Sequence, residues 1–62
     1  MTEVVIPLTL AAKRCALGEP AIRWGIKLGA IEARKLGRDW YLPLQEVERL
    51  AREYPLEGVT NA

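Results

Sequence analysis

The sequence contains no histidine and no phenylalanine, and only one cysteine and one methionine occur among its 62 residues. A single cysteine excludes an internal disulfide, and a zinc site would have to be built from Cys15 and scattered carboxylates. The lack of histidine also excludes the commonest general acid or base in enzymes. We therefore expect no metal, no cofactor and no enzymatic activity, with Cys15 as a small buried apolar side chain.

Long apolar runs are absent as well. No stretch approaches the roughly 18–20 apolar residues that a membrane span needs, and the first residues show no signal-peptide pattern. The composition is 50% apolar and 27% charged, as in ordinary globular domains. We expect a cytoplasmic protein with no membrane partner, organised as an N-terminal extension (residues 1–6), one domain (7–54) and a flexible tail (55–62).

The small net charge of +1 conceals an uneven distribution. Residues 13–38 contain seven basic and two acidic side chains, whereas residues 39–62 contain two basic and five acidic ones. Charge sorted in this way predicts one positive face and an acidic back.

The first half of the chain predicts two short helices. Residues 1–6 are expected either to form a short strand or to cover the core, and a helix is expected from Leu8 to Cys15 after Pro7. A second helix is expected from Glu19 to Leu28, with its inward-facing side chains at helical spacing and a glycine as its stop: Ile22, Ile26 and Gly29. Two helices joined by about three residues form a helix-turn-helix shape.

The segment "KLGRDWYLP", residues 35–43, predicts a β-hairpin. Two alternating runs surround the two-residue loop Gly37-Arg38, which fits a type II′ turn. The alternation of Ile31, Ala33 and Lys35 fits one strand and that of Trp40 and Leu42 the other. Trp40 and Leu42 are expected on the inward face, with Trp40 in the core, and Tyr41 on the other face. A third helix should follow Pro43 and end at Pro55, on the apolar stripe Leu44, Val47, Leu50, Ala51 and Tyr54.

These elements predict an α+β, mostly α fold, in the order helix, turn, helix, two-stranded wing, helix. Over residues 7–50 the chain resembles the excisionase-like, MerR-related winged helix-turn-helix domains of small phage and bacterial DNA-binding proteins. The resemblance depends on "AAKR", "AIR" and "IKLG", and above all on "GAIEARKLGRDWYLP" followed by "EVERL". Four positions differ from the family pattern: Ala16 at the usual turn glycine, Gly18 at the usual serine cap, Trp24 at an often basic position and Gly25 at a common aromatic position.

The resemblance implies double-stranded DNA as the partner, with the second helix in the major groove and the wing on the backbone or adjacent minor groove. Near the start of a recognition helix, side chains meet base edges. The candidate DNA contacts on the second helix are Glu19, Ala21, Arg23 and Lys27; on the wing, Arg34, Lys35 and Arg38; and on the first helix, as backbone contacts, Lys13 and Arg14. The alternative for these cations is an ordinary solvated surface.

Two functions follow. The first is a DNA-binding protein, either a small transcriptional regulator or an excisionase-like recombination directionality factor, that self-associates on adjacent sites. The second is a protein-interaction module on the same fold, such as a phage adaptor or an inhibitor of a host protein. Trp24 lies about 200° around the helix from Ile22 and should be partly exposed. Its expected role is to pack on the wing, contact DNA or bind a protein partner. Cations gathered on one surface would favour DNA, and an apolar patch around Trp24 would favour a protein.

Overall fold

Within residues 3–56, three helices and a three-stranded antiparallel sheet form a mixed α+β fold, as expected from the sequence. The computed structural model describes residues 3–56, so most of the tail predicted over residues 55–62 lies outside the described residues. The elements follow in the order β1 (Val5–Pro7), α1 (Leu8–Lys13), α2 (Glu19–Lys27), β2 (Arg34–Leu36), β3 (Asp39–Pro43) and α3 (Leu44–Glu53). Within residues 3–56 no helix is long and apolar enough to cross a membrane.

The sheet has one strand more than the expected hairpin. β1 pairs with β3, so that the strand order is β1-β3-β2 and Val5 lies opposite Pro43. The short β-branched segment near the start of the chain is therefore an edge strand, one of the two roles expected for residues 1–6, and it continues into Pro7. Proline is tolerated at such an edge because one side of the strand has no ladder to supply.

The hairpin turn has the geometry that its sequence predicts. Leu36 pairs with Asp39, which leaves Gly37 and Arg38 as a two-residue loop. Gly37 has a φ of 65° and Arg38 does not have a positive φ. A positive φ at the first loop residue alone is typical of a type II′ turn, whereas a type I′ turn requires it at both.

The helices begin where expected and end slightly earlier. α1 ends at Lys13 instead of Cys15, because the Arg14 N–H donates to the Ala11 carbonyl at 3.0 Å, three residues back, and closes the last turn. α2 ends at Lys27, one residue short of the prediction, and the predicted stop glycine, Gly29, has a φ of 81°.

The core consists of eight buried side chains from both helical and extended segments: Leu8, Ala11, Cys15, Ile22, Ile31, Leu42, Val47 and Leu50. Cys15 is buried as predicted. Trp40, predicted to be core, is only partly buried and packs against the cluster from its edge. It lies two residues after the Gly37-Arg38 loop, and the Lys35 ammonium stands 5.4 Å from its ring centroid.

Two other expectations were wrong in detail. Ile31 is buried but precedes β2, because its N–H donates to the Gly25 carbonyl at 3.1 Å and directs the side chain onto α2. Tyr54, predicted to continue the apolar stripe of α3, is the C-cap residue and its side chain is 42% exposed.

Candidate functional site

An open groove of about 460 Å³ lies where α1, α2 and the hairpin meet. Its lining comprises Pro7, Leu8, Thr9, Arg23, Arg38, Asp39, Trp40 and Tyr41. Arg23 of α2 and Arg38 of the hairpin turn both line this groove. The fold therefore brings together two of the predicted cations that lie fifteen positions apart in the sequence.

Arg23 has one ionic partner among the residues that the structure describes. Its Nη2 atom lies 3.6 Å from Oε1 of Glu19, one helical turn earlier, and both side chains are well exposed to solvent. Such a pair contributes little free energy because water screens it. The guanidinium can therefore exchange this carboxylate for another anion at small cost.

The remaining predicted residues of α2 are Ala21 and Lys27, both exposed. The Lys27 ammonium stands 5.6 Å from the centroid of the Trp24 ring, a cation–π distance. Trp24 itself is 59% exposed, as the helical spacing predicted.

The predicted cations of the hairpin fall on different surfaces. Lys35 and Arg38 are exposed, and within residues 3–56 Arg38 forms no side-chain hydrogen bond or ion pair. Lys35 pairs in register with Trp40, whereas Arg34 pairs with Tyr41 and lies on the opposite face of the sheet.

Arg34 is already engaged by two carboxylates. Its Nη2 atom lies 2.9 Å from Oε2 of Glu3 and 2.8 Å from Oε2 of Glu32. Hydrogen bonds to Glu32 and Glu3 raise the pKa of Arg34, so the guanidinium remains charged. The predicted contact of Arg34 with DNA stays a prediction, and it would require the side chain to leave these partners.

Lys13 and Arg14 are exposed at the end of α1, and the groove does not include them among its lining residues. Two hydroxyl-bearing residues that the sequence analysis did not select, Thr9 and Tyr41, do line it. The alternation of the hairpin placed Tyr41 opposite the core, which was a signal for a surface role. Thr9 had no local signal, because its proximity to the hairpin depends on how β1 pairs with β3.

A second groove, of about 370 Å³, separates α2 from α3. Its lining is largely apolar and comprises Leu17, Ala21, Trp24, Gly25, Ala30, Ile31, Arg49, Leu50, Glu53 and Tyr54. This is the apolar surface around Trp24 that a protein-binding role would require. The structure thus contains the apolar patch around Trp24, while only two of the predicted cations, Arg23 and Arg38, share the other groove.

An ion-pair network on α3 forms one wall of the second groove. Arg49 donates to Glu46 at 2.7 and 2.9 Å, to Glu53 at 3.0 Å and to the Ala30 carbonyl at 3.3 Å. The hydrogen bond from Arg49, aided by one from the Glu32 N–H, lowers the pKa of the Glu46 carboxyl. The hydrogen bond to Glu46, followed by that to Glu53, raises the pKa of Arg49. The positive charge of Arg49 is therefore paired with carboxylates of the same chain.

Comparison with known proteins finds no matching family model, no matching curated protein and no matching solved structure.

Proposed function

We propose that the protein is a winged helix-turn-helix DNA-binding protein of the excisionase-like, MerR-related type. In this interpretation α1 and α2 form the helix-turn-helix, β2 and β3 form the wing, and α3 supports both. The element order and the two-residue wing turn support the interpretation. The chain would act by occupying a DNA site, as a small transcriptional regulator or a recombination directionality factor, and no catalytic step is needed.

The observation that carries this proposal is the shared groove of Arg23 and Arg38. A duplex that packs against this face of the protein would meet one cation from α2 and one from the hairpin turn. Arg38 has no competing carboxylate partner within residues 3–56, and the Glu19 partner of Arg23 is screened by solvent. Phosphate contacts made by such cations position a protein on DNA and account for much of its affinity.

The two cations have different roles in the proposal. α2 lies in the major groove, where Arg23 forms a bidentate contact with guanine that is worth about 1–3 kcal/mol of discrimination. Glu19 and Lys27 flank Arg23 on the same helix and extend the surface that meets bases and backbone, whereas Ala21 lines the groove between α2 and α3. Arg38 contacts the backbone or adjacent minor groove, with Lys35 beside it. A single domain of this size covers few base pairs, so several copies would bind adjacent sites.

The proposal predicts a salt-dependent affinity that Arg38 helps to set. Binding to a fluorescently labelled random-sequence duplex is measured by anisotropy across a salt series, for the wild type and for Arg38→Ala. The logarithm of the association constant should fall linearly with the logarithm of salt concentration, and Arg38→Ala should reduce the slope by about 0.9, equivalent to one phosphate.

The matched control is Arg52→Ala, which removes the same charge from an exposed position on α3, outside the lining of the Arg23–Arg38 groove. This variant should keep the wild-type slope. Equal slopes in all three proteins would contradict the role of Arg38. A wild type that does not bind the duplex even at the lowest salt would overturn the proposal as a whole.

A second candidate function is a protein-interaction module, and the apolar groove between α2 and α3 favours it. In that case a photocrosslinker at position 24 should capture one protein partner, and Tyr54→Ala, which removes the opposite wall, should abolish capture. Arg38→Ala should leave it unchanged, because Arg38 lines only the other groove. The wild type should then show no affinity for duplex DNA.

A further inference from the structure

Trp24 lies on the solvent-facing side of α2. Ile22 is fully buried and marks the inward side of the helix. At about 100° per residue, Trp24 lies about 200° from Ile22, while Arg23 and Lys27 lie about 100° and 140° from it. The ring is therefore the most outward large side chain of the helix, and both cations of α2 are on one side of it.

A cation, the Lys27 ammonium, lies over one face of the Trp24 ring. The Lys27 ammonium lies 5.6 Å from the ring centroid, and the ring remains 59% exposed. The cation–π contact favours an arrangement in which a flat apolar surface and a cation project together from the helix. An apolar surface of this kind gains free energy only when an apolar group covers it.

The major groove of DNA offers one such group. Each base pair presents hydrogen-bond donors and acceptors there, and only thymine presents a methyl group. We infer that Trp24 is a specificity-determining residue that reads thymine through its 5-methyl group, while Lys27 contacts the adjacent backbone. This inference rests on the proposed function, because it requires α2 to lie in the major groove.

The expected effect is modest and measurable. Covering one methyl-sized group is worth about 0.8 kcal/mol, which corresponds to a factor of about four in affinity. Removal of the methyl from a contacted thymine should therefore weaken binding by about that factor. Removal of the indole should abolish the difference, because nothing then distinguishes a methyl from a hydrogen atom.

The test uses uracil as a thymine that lacks only the methyl group. Duplexes are selected from a random library with the wild-type protein, and the enriched site is resynthesised with deoxyuridine at one thymine position at a time. We expect about fourfold weaker binding at one or two positions for the wild type and no difference at those positions for Trp24→Ala. Trp24 is largely exposed, so this variant should fold normally.

Tyr54→Ala is the matched control, since it removes the aromatic side chain on the other wall of the apolar groove and leaves α2 intact. It should keep the preference for thymine over uracil. Equal affinity of the wild type for thymine and uracil at every position would overturn the inference while leaving DNA binding in place. The same conclusion would follow if Trp24→Ala retained the preference, or if selection enriched no thymine-containing site. No binding to any duplex would overturn the proposed function together with this inference.

Discussion

Gly25 lies in the middle of α2, where a glycine costs about 1 kcal/mol relative to alanine. The structure gives a reason for it. A Cβ atom at this position would lie 2.5 Å from Cδ1 and 2.8 Å from Cγ1 of Ile31. The Gly25 carbonyl also accepts hydrogen bonds from the N–H groups of Ala30 and Ile31, at 2.8 and 3.1 Å. The chain therefore crosses the helix at the one residue that has no side chain.

This contact predicts that Gly25→Ala destabilises the protein despite its better helix propensity. Overpacking a core contact typically costs about 1–3 kcal/mol, which exceeds the gain in propensity. The penalty should shrink in an Ile31→Val background, because valine lacks the Cδ1 atom that lies closest. Urea denaturation of the four proteins in this double-mutant cycle measures the coupling, and additive effects of the two substitutions would contradict the explanation.

From the sequence, Gly25 is an unusual residue for a helix interior, and the sequence offers no cause for it. The cause is the position of Ile31, six residues later, after the chain has reversed direction at Gly29. Helical periodicity reports which side of α2 is apolar, and it carries no information about what packs there. The same limit applies to Thr9, whose place in the groove depends on the pairing of β1 with β3.

At the scale of elements, α3 is attached to the segment that follows α2 by polar contacts. The Glu46 carboxylate accepts hydrogen bonds from the Glu32 N–H at 2.8 Å and from Arg49. Arg49 in turn donates to the Ala30 carbonyl. The Glu46 carboxylate thus accepts one backbone N–H of this segment and also holds Arg49, which contacts the same segment. The attachment of α3 to the segment therefore depends on a single ionised group.

The lowered pKa of Glu46 predicts a loss of stability in acid. A carboxyl whose pKa is lower in the folded protein stabilises the fold above its ordinary pKa of 4.5, and this stabilisation disappears as pH falls through the folded-state value. The difference in unfolding free energy between the wild type and Glu46→Gln should therefore be largest at neutral pH and decrease towards pH 3. Urea denaturation at several pH values, with Glu48→Gln as an exposed control on the same helix, checks this expectation; a constant difference would contradict it.

The helices and the hairpin were predictable because their signals are local. The residues that set the element boundaries lie within a few positions of them: Pro7, Gly29 and the Gly37-Arg38 loop. The sequence did not decide whether residues 1–6 form a strand or only cover the core, because β3, the partner of β1, lies far along the chain. The start of β2 was misplaced because Ile31 and Ala33 alternate as a strand would, although Ile31 is used to cover α2.

At the scale of the whole molecule, eight side chains form the entire buried cluster found within residues 3–56. A domain this small has a narrow stability margin, typically near the low end of about 5–15 kcal/mol. Leu42 and Ile22 are both fully buried, one in the central strand and the other in α2. The buried cluster therefore contains side chains from both the sheet and the helices.

We expect Leu42→Ala to leave much of the population unfolded at room temperature. A buried leucine replaced by alanine costs about 2–5 kcal/mol, which is comparable to the whole margin. Circular dichroism and thermal denaturation would show this as a loss of helix signal and of a cooperative transition. Leu36→Ala, at a 53% exposed position on β2, should change stability by less than about 0.5 kcal/mol, and an equal effect of both substitutions would contradict this account of the core.

The pairing of β1 with β3 has a consequence for folding during synthesis. Val5 leaves the ribosome first, but its partner Pro43 is made 38 residues later. At about 5–20 residues per second, the first strand waits roughly 2–8 s with its apolar side chains uncovered. The β2–β3 hairpin needs no such delay, since its strands are separated by two residues. Both pairings need β3, so the hairpin should form as soon as β3 is made, and β1 should pair afterwards because that contact closes a much longer loop.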